Sequence, residues 1–407
     1  MKFSSVKSVP AEVLLLKITC IAWLIAKLYS YKAWITDRNF PIIPTFDFFV
    51  VPSEIHTLLF VLSLICIFSL LLFPNKKTLI LTLIFVEIFS CLLDQMRWQP
   101  WEYQYLITLI LFVLSKGNKK QFVLLLTFIL ACTYIFSGLH KFSGGFLYNL
   151  WDKMVLDRFL KLPVERIKDP LLHYSGLVFA LIEVFIGFGI LFFSNKKFNY
   201  ALAIAMHLII IIVFGPWGVS HNLIIIPWNL AMIAMLVVLF LQDKPLYFTA
   251  LFFQSKLNVA VFIIIGVLPF LSFINKWDHY FSFNLYSGTT KTLVICVDAN
   301  EDVSQLDPYV FKRKHNKYCY KSYSINTMRW ALKELKVPVP PEERIFKKLK
   351  IKFNNKFPNL ENKSVYYWYP YKKRQYQRSG VKISYYFCLF TLKIATKNLL
   401  LHHYFKK

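Results

Sequence analysis

The sequence predicts a polytopic α-helical membrane protein with a small α+β extramembrane domain at its C-terminal end. Of the 407 residues, 57% are hydrophobic and only 17% are charged, a composition unlike that of an ordinary soluble chain. The hydrophobic residues are concentrated in runs of roughly 17–23 residues between positions 11 and 275, each long enough to cross a hydrocarbon core of about 30 Å. Beyond position 275 the chain is polar and basic. We therefore expect a transmembrane domain over residues 1–275 and a second domain over residues 276–407.

The apolar runs predict about nine membrane-spanning helices. The first, over about 11–32, follows a segment without a small-residue cleavage site, so we expect a retained helix and not a signal peptide. The next segment, 33–53, contains three prolines and predicts an aromatic loop at the membrane interface. The other eight helices are expected at about 54–73, 78–94, 104–116, 121–140, 172–194, 198–214, 223–242 and 258–275.

Basic residues in the short loops predict the orientation. An Asn-Lys-Lys sequence follows the second, fourth and sixth predicted helices, whereas the short loops after the third and seventh carry one arginine between them. Because cytoplasmic loops carry the excess of Lys and Arg, we expect the N-terminus inside and the C-terminal domain outside. Four segments rich in aromatic and polar residues, here called the aromatic segments, then share the outer face. They are 97–105, 134–145, 215–222 and 277–288.

The C-terminal domain is expected to combine helices with strands. Residues 292–297 (TLVICV) predict a buried strand, and residues 326–335 have helical spacing. Pro341 is placed to begin a second helix that runs to about 353. Aromatic and β-branched residues predict two further strands, at 364–369 and 381–391.

Most of the positive charge belongs to this domain. Residues 276–407 carry 26 Lys and Arg against 9 Asp and Glu, which accounts for 17 of the 26 net positive charges. A basic surface beside a membrane attracts anionic lipid headgroups, and the domain contains no nucleic-acid-binding motif. We therefore expect the lipid bilayer as its partner, with a protein on the outer face as a further option, and no nucleic acid.

The seven cysteines do not predict a metal site. Four lie in apolar runs, where a cysteine is most often a small buried side chain. Three lie in the C-terminal domain, and the sequence leaves open whether two of them form a disulfide. No CxxC motif is present, so neither zinc nor a thioredoxin-like redox pair is supported. The two groups are Cys20, Cys66, Cys91 and Cys132, and Cys296, Cys319 and Cys388.

A helix-end sequence, YIFSGLHKFSGG (134–145), is the first candidate for a site. His140 and Lys141 fall where the fifth predicted helix leaves the bilayer, and Gly144 and Gly145 follow. A lysine at such a position commonly extends its ammonium group to the headgroups. Alternatively, aromatic segments that partly desolvate the amine would let it act as a base.

Two further ionisable residues lie in the middle of predicted helices. Glu183 belongs to the sixth and His207 to the seventh. A charged group at the bilayer centre costs about 2.5–3.5 kcal/mol even on the lenient insertion scale, so each should face the bundle and have a partner. The partner is either a substrate or proton path, or a neighbouring helix that the side chain helps to pack. Glu87 in the third helix presents the same alternatives.

The remaining candidates lie in the aromatic segments and next to them. One interpretation is a belt of aromatic residues at the membrane interface. The other interpretation is the aromatic-lined entrance of a pocket for a flat apolar ligand, in which the polar side chains give specificity. The residues concerned are Arg97, Trp98, Trp101, Glu102, Trp217, His221 and Trp228.

Two of these sequences together resemble a known family. The stretch YIFSGLHKFSGGFLYNLW resembles the helix-end motif of the vitamin K-dependent γ-glutamyl carboxylases and of their bacterial relatives, the horizontally transferred transmembrane (HTTM) domain proteins. Met206-His207 followed by IIIPWNLAMIAML looks like a second family element. The resemblance covers roughly residues 80–290. The family histidine expected near 100–105 is absent, because Trp101, Glu102 and Tyr103 occupy those places.

The resemblance implies a quinol-dependent enzyme. The family oxygenates a reduced naphthoquinone at the membrane, and the base so formed removes a glutamate γ-proton before CO₂ adds. The family's catalytic lysine falls on Lys141, with His207 as the second catalytic candidate, and the cofactor implied is a reduced quinone. The alternative is a DoxX-like redox-associated or non-catalytic subunit that binds a quinone, a lipid or a protein. The composition favours a bacterial inner membrane, with the C-terminal domain in the periplasm.

Overall fold

Helices form the region before residue 275, and a small antiparallel sheet follows it. The computed structural model describes residues 9–220, 222–241, 248–312, 319, 322–369 and 377–378. Its α-helices are α1 (Ala11–Tyr29), α2 (Ser53–Leu72), α3 (Lys77–Leu93), α4 (Pro100–Leu114), α5 (Lys119–Lys141), α6 (Val164–Ile167), α7 (Pro170–Tyr174), α8 (Gly176–Phe192), α9 (Lys196–Phe214), α10 (Ile225–Phe240), α11 (Lys256–Val261), α12 (Thr327–Glu334) and α13 (Glu343–Lys356). A π-helix, Phe146–Phe159, follows α5.

Five helices of the described chain are long and apolar enough to cross a membrane, as expected of an integral membrane protein. They are Ser53–Leu72, Lys119–Lys141, Pro170–Phe192, Lys196–Phe214 and Lys256–Ile274. The other predicted spans correspond to helices that are shorter or more charged. Helices α3, α4 and α10 have 17, 15 and 16 residues, and α1 carries Glu12, Lys17 and Lys27.

Helix α5 is the central helix of the bundle. In its apolar stretch 83% of the residues are buried, compared with 33% in α2 and in α9. Glycines bring α8 against it. A Cβ atom on Gly138 would lie 2.7 Å from the carbonyl oxygen of Ala180, and one on Gly187 would lie 2.6 Å from that of Ala131. Because only glycine leaves room for backbones at this distance, these two positions fix how closely α5 and α8 pack.

Two predicted spans differ from single α-helices. The span predicted at 172–194 comprises α7 and α8, which are joined at Ser175 with backbone angles in the helical region. The span predicted at 258–275 continues from α11 as a π-helix over Phe262–Val267 and a 3₁₀-helix over Leu268–Ile274. Pro269, near the start of the 3₁₀-helix, lacks the N–H that an α-helix needs there.

Residues 34–52 form a loop without an α-helix, as the three prolines predict. Arg38 holds this loop in shape, because its guanidinium donates hydrogen bonds to the carbonyl oxygens of Ala33 (2.9 Å) and Phe40 (3.1 Å). The same group forms a buried ion pair with Asp94, which follows α3. The loop is thereby attached to the ends of α1 and α3.

The C-terminal domain is built on a five-stranded antiparallel sheet of order β2-β3-β1-β4-β5. The strands are β1 (Thr292–Asp298), β2 (Val310–Phe311), β3 (Ser322–Asn326), β4 (Ser364–Tyr369) and β5 (Gln377–Arg378). The predictions for β1 and β4 are confirmed, and the strand predicted at 381–391 lies outside the described residues. The helix predicted from Pro341 begins at Glu343 instead, because Glu342 has extended backbone angles. Cys296 and Cys319 form a disulfide, and Cys388 lies outside the described residues.

This domain docks on the loops of the membrane domain. The Glu334 carboxylate accepts hydrogen bonds from the backbone amides of Asn39 (2.6 Å) and Phe40 (2.8 Å), and the Phe40 ring packs edge-on against Trp330 with centroids 4.9 Å apart. Arg344 donates a hydrogen bond to Gln95 Oε1 at 3.1 Å. The sheet domain therefore lies at the end of the bundle where α1 ends and α4 begins.

Candidate functional site

The structure brings the four aromatic segments together at one end of the bundle. Tyr103 packs against Phe281 with ring centroids 5.0 Å apart, and Phe214, just before Gly215, stacks on Tyr286 at 5.5 Å. The turn after α5 meets the same region, because Ser143 Oγ donates a hydrogen bond to the carbonyl oxygen of Ser287 at 3.2 Å. The sequence predicted that the four aromatic segments share one face, because of where they lie between the predicted helices.

The helix end in this assembly carries a buried ion pair. Lys141 Nζ lies 2.6 Å from Glu183 Oε2, and the two side chains are 9% and 8% exposed. The ammonium group also donates to Ser137 Oγ at 2.6 Å. Lys141 therefore does not extend to the headgroups: it points back along α5 and is held by a carboxylate from α8. Glu183 thus has a named charge partner, as its position inside a membrane helix requires.

A hydrogen-bonded chain centred on His207 lies beside the ion pair. Asn229 Nδ2 donates to the carbonyl oxygen of Ile225 at 2.7 Å, which turns Asn229 Oδ1 toward His207 Nδ1, also at 2.7 Å. Because Oδ1 only accepts, Nδ1 carries the proton and Nε2 is free to accept from Tyr134 Oη at 2.7 Å. The tautomer of His207 is fixed by these partners.

The ion pair and the His207 chain belong to one cluster. Tyr134, Ser137 and Lys141 are three and four residues apart in turn, so they share one face of α5. We call Tyr134, Ser137, Lys141, Glu183, His207 and Asn229 the α5 cluster.

His140 lies outside the α5 cluster although it is next to Lys141 in sequence. Its ring stacks on Phe273 with centroids 4.2 Å apart, and its Nε2 atom is 3.2 Å from Ser272 Oγ. Consecutive residues of a helix point about 100° apart, which places His140 against the 3₁₀-helix Leu268–Ile274 and Lys141 against α8.

Arg97 and its neighbours form a second, separate cluster. The Arg97 guanidinium is fully buried and donates to the carbonyl oxygens of Ala33, Trp34 and Ser90 and to Ser90 Oγ, at 2.8–3.0 Å. It also contacts His56 Nδ1 at 2.9 Å. These contacts connect the end of α1 to α2 and α3. The Arg97 side chain therefore joins helices and does not line the entrance of a pocket.

The four candidate tryptophans have different environments. Trp98 stacks on Tyr103 at 4.8 Å, and Trp101 is buried against Trp34 at 6.2 Å. Trp217 is 82% exposed. Trp228 Nε1 donates to Gln104 Oε1 at 2.7 Å, which links α10, beside Asn229, to α4. His221 lies outside the described residues.

Sequence reasoning missed several residues that the structure makes prominent. Tyr134 and Asn229 complete the environment of His207. For Tyr134 the sequence signal was its helical spacing from Lys141, and for Asn229 it was its position next to Trp228. Lys27 pairs with Glu87 at 2.8 Å, and both side chains are fully buried. Asp152 of the π-helix lies 2.7 Å from His173 Nδ1, and burial raises the pKa of Asp152.

The described residues offer no metal centre, since no group of three or more His, Cys, Asp or Glu is suitably placed among them. Two cavities, of about 470 and 260 Å³, border the C-terminal domain. The larger is lined by residues between Ala299 and Tyr323, and the smaller lies between Tyr29 of α1 and Glu334 of α12. Neither includes a member of the α5 cluster.

Comparison of the chain with protein-family models, with curated proteins and with solved structures finds no match. The resemblance to HTTM proteins and γ-glutamyl carboxylases therefore depends on the sequence motifs alone.

Proposed function

We propose that this protein is a multi-pass membrane protein whose α5 cluster binds a reduced quinone and transfers protons, with Lys141 as the base. The observation that carries the proposal is the buried Lys141–Glu183 ion pair beside a histidine of fixed tautomer. The proposal includes about nine spans, a cytoplasmic N-terminus and a periplasmic C-terminal domain in a bacterial inner membrane. The positive-inside distribution of the loops supports this orientation.

The ion pair gives Lys141 a way to become a base. Transfer of one Nζ proton to Glu183 Oε2, across 2.6 Å, converts ammonium and carboxylate into a neutral amine and a carboxylic acid. Burial penalises both charges, so the neutral pair is accessible in a site of low dielectric. The free amine then accepts a proton from an acidic hydroxyl, while Ser137 Oγ holds the nitrogen in place.

His207 and Asn229 orient the Tyr134 hydroxyl. Because Nε2 of His207 accepts the Tyr134 proton, the phenolic oxygen keeps its lone pairs free for a hydroxyl donor. A quinol presents such hydroxyl donors on a flat aromatic ring, which also suits the aromatic residues at this end of the bundle. Lys141, Tyr134 and His207 are the residues that would hold the quinol head, and the quinol would supply the redox chemistry.

The test is the quinone content of gently purified protein, measured by mass spectrometry. The wild type is expected to retain quinone in stoichiometric amount, and Lys141→Ala and His207→Ala are expected to lose it. Lys119→Ala is the matched control, because Lys119 lies on the same helix and its side chain is 63% exposed. Absence of quinone from wild type, or equal retention in all four proteins, would overturn the proposal.

The alternative is a DoxX-like redox-associated or non-catalytic membrane subunit that binds a quinone, a lipid or a protein partner. The specific observation in its favour is that Lys141 Nζ already contacts Ser137 and Glu183, so the ion pair also serves to pack α5 against α8. If the protein retains quinone but its quinol-dependent turnover is the same in wild type and Lys141→Ala, the protein binds the quinone without using Lys141 as a base.

A further inference from the structure

A cavity lined by three lysines lies where the end of α1 meets the C-terminal domain. Its volume is about 260 Å³, several times the roughly 30 Å³ that a water molecule occupies in the liquid. Lys32 follows α1, Lys333 lies in the last turn of α12, and Lys336 follows that helix. The cavity therefore gathers positive charge from both domains.

The ammonium groups of these lysines are largely available to a ligand. The side chains of Lys32 and Lys336 form no hydrogen bond or ion pair with any residue that the structure describes. Lys333 Nζ donates to the carbonyl oxygen of Pro308 at 3.0 Å, which uses one of its three protons. The other two protons of Lys333 can be donated to a bound anion.

Glu334, the acidic residue in the described lining of the cavity, is engaged by neutral donors. Its Oε1 atom accepts from the backbone amide of Asn39 at 2.6 Å, and its Oε2 atom accepts from that of Phe40 and from Trp330 Nε1, both at 2.8 Å. These three hydrogen bonds stabilise the ionised carboxylate, so that it does not need the lysines as partners. Three ammonium groups against one carboxylate give the lining a net charge of +2.

Lys336 occupies a backbone position that favours glycine. Its φ angle is 61°, in the left-handed region, directly after the C-cap residue Leu335 of α12. Glycine adopts this conformation without a steric penalty, whereas a residue with a Cβ atom does not. A role for the ammonium group in the cavity accounts for a lysine at this position.

An exposed apolar stripe on α1 leads to the cavity. The exposed residues of α1 are all aliphatic or aromatic, namely Leu14, Ile21, Ile25, Leu28 and Tyr29. Ile21, Ile25 and Tyr29 are four residues apart in turn, so they lie on one face of the helix. Tyr29 also lines the cavity, and tyrosine is enriched where a membrane meets water. The stripe and the cavity thus form one surface with an apolar length and a cationic end.

We propose that the cavity binds the headgroup of an anionic phospholipid whose acyl chains lie along the exposed stripe of α1. Lys32, Lys333 and Lys336 hold the phosphodiester group. A zwitterionic phospholipid carries an ammonium group that the positive lining repels, so the site selects phosphatidylglycerol over phosphatidylcholine. This inference rests on the proposed position of α1 in the bilayer and is independent of the proposed quinone.

Native mass spectrometry of the full-length protein in detergent, titrated with either lipid, tests the proposal. Wild type is expected to bind one phosphatidylglycerol, and more tightly than phosphatidylcholine. Lys32→Gln/Lys333→Gln/Lys336→Gln is expected to bind phosphatidylglycerol about 10–100-fold more weakly, because each basic residue contributes to the attraction of an anionic lipid. Lys32→Arg/Lys333→Arg/Lys336→Arg keeps the charges and is expected to keep the binding.

The matched control removes the same charge from the other end of the helices. Lys76→Gln/Lys77→Gln/Lys120→Gln changes three exposed lysines where α3 and α5 begin, and it should bind phosphatidylglycerol like wild type. Inorganic phosphate is the second probe. Because it has no acyl chain to cover the α1 stripe, it is expected to bind far more weakly than phosphatidylglycerol.

Three results would overturn the proposal. They are wild-type affinity in the glutamine variant of the cavity or equal weakening in the control, equal affinity of wild type for the two lipids, and phosphate binding as tight as that of phosphatidylglycerol. Thermal unfolding checks that each variant is folded. If the triple glutamine variant is not, Lys32→Gln alone is compared, with an expected weakening of about fivefold. Quinone content of the same samples should not change, so the failure of either proposal is seen separately.

Discussion

At the scale of single residues, three ion pairs are buried among the helices of the membrane domain. Lys27 contacts Glu87, Arg38 contacts Asp94, and Lys141 contacts Glu183. Removing one partner of such a pair leaves an uncompensated buried charge, which costs about 3–5 kcal/mol. The sequence showed that Glu87 and Glu183 needed partners, because each interrupts an apolar run. It did not show which partners, since the pairs join residues 60 and 42 positions apart.

The Arg97 site predicts a strong preference for arginine. Arg97→Lys is expected to lower the free energy of unfolding by about 2–4 kcal/mol, because an ammonium group has three donors and cannot reach the acceptors around the planar guanidinium. Denaturant unfolding in detergent measures the effect. Arg158→Lys, at an exposed arginine of the π-helix, should be close to neutral. Equal stability of both variants and wild type would show that the Arg97 contacts contribute little.

At the scale of helices and strands, close packing of α5 on α8 determines the geometry of the α5 cluster. The sequence predicted both helices from their apolar length, together with β1 and β4 from their residue types. It did not predict the change from α-helix to π-helix after Val261, because a run of apolar residues has the same hydropathy in either type of helix. The start of α13 was misplaced because Glu342 is fixed by tertiary contacts, which its sequence neighbours do not reveal.

Gly138→Ala is expected to separate α5 from α8. Its Cβ atom would lie 2.7 Å from the Ala180 carbonyl oxygen, so the backbone of α5 or α8 must move. We expect this to lower the free energy of unfolding by about 1–3 kcal/mol. The shift would also carry Glu183 away from Lys141 and reduce quinone retention. The control is Gly144→Ala, whose Cβ atom would be 3.9 Å from its nearest neighbour. If thermal unfolding and quinone content are the same for both variants, the glycine contact does not position the ion pair.

At the scale of the whole molecule, the C-terminal domain and the membrane domain share a polar junction. Arg344 donates to Gln95 Oε1 of the membrane domain at 3.1 Å and also pairs with Asp278 at 2.7 Å, in the segment where the C-terminal domain begins. In the same segment, Glu342 Oε1 accepts from the backbone amide of His279 at 2.8 Å. Burial, together with the charge of Asp278, raises the pKa of Glu342 to about 7. The sequence predicted a basic domain, but the composition alone did not reveal that acidic residues hold it in place.

The junction predicts a pH dependence of stability. Because the pKa of Glu342 is higher in the folded than in the unfolded protein, the folded state binds more protons between about pH 4.5 and 7. The free energy of unfolding should therefore fall as the pH rises through this window, by at most about 1.4 kcal/mol per pH unit. The backbone amide of His279 and the charges of Arg344 and Lys291 also act on this carboxyl group, and all three oppose the rise of its pKa.

Denaturant unfolding of wild type and Glu342→Gln between pH 4.5 and 8 measures this contribution. The variant should show a flatter profile than wild type over the window. Glu361→Gln, at an exposed glutamate of the same domain, should keep the slope of the wild type. A slope that survives in Glu342→Gln would assign the pH dependence to another group.

The most direct test of the α5 cluster replaces its ion pair by an apolar pair. Buried ion pairs can be replaced by hydrophobic residues of similar volume with little loss of stability, so Lys141→Met/Glu183→Met should stay folded, as thermal unfolding will show. If the pair transfers protons to and from a quinone, this stable double variant will lose the quinone that the wild type retains. Stoichiometric quinone in the folded double variant would contradict the account and leave the ion pair a purely structural role.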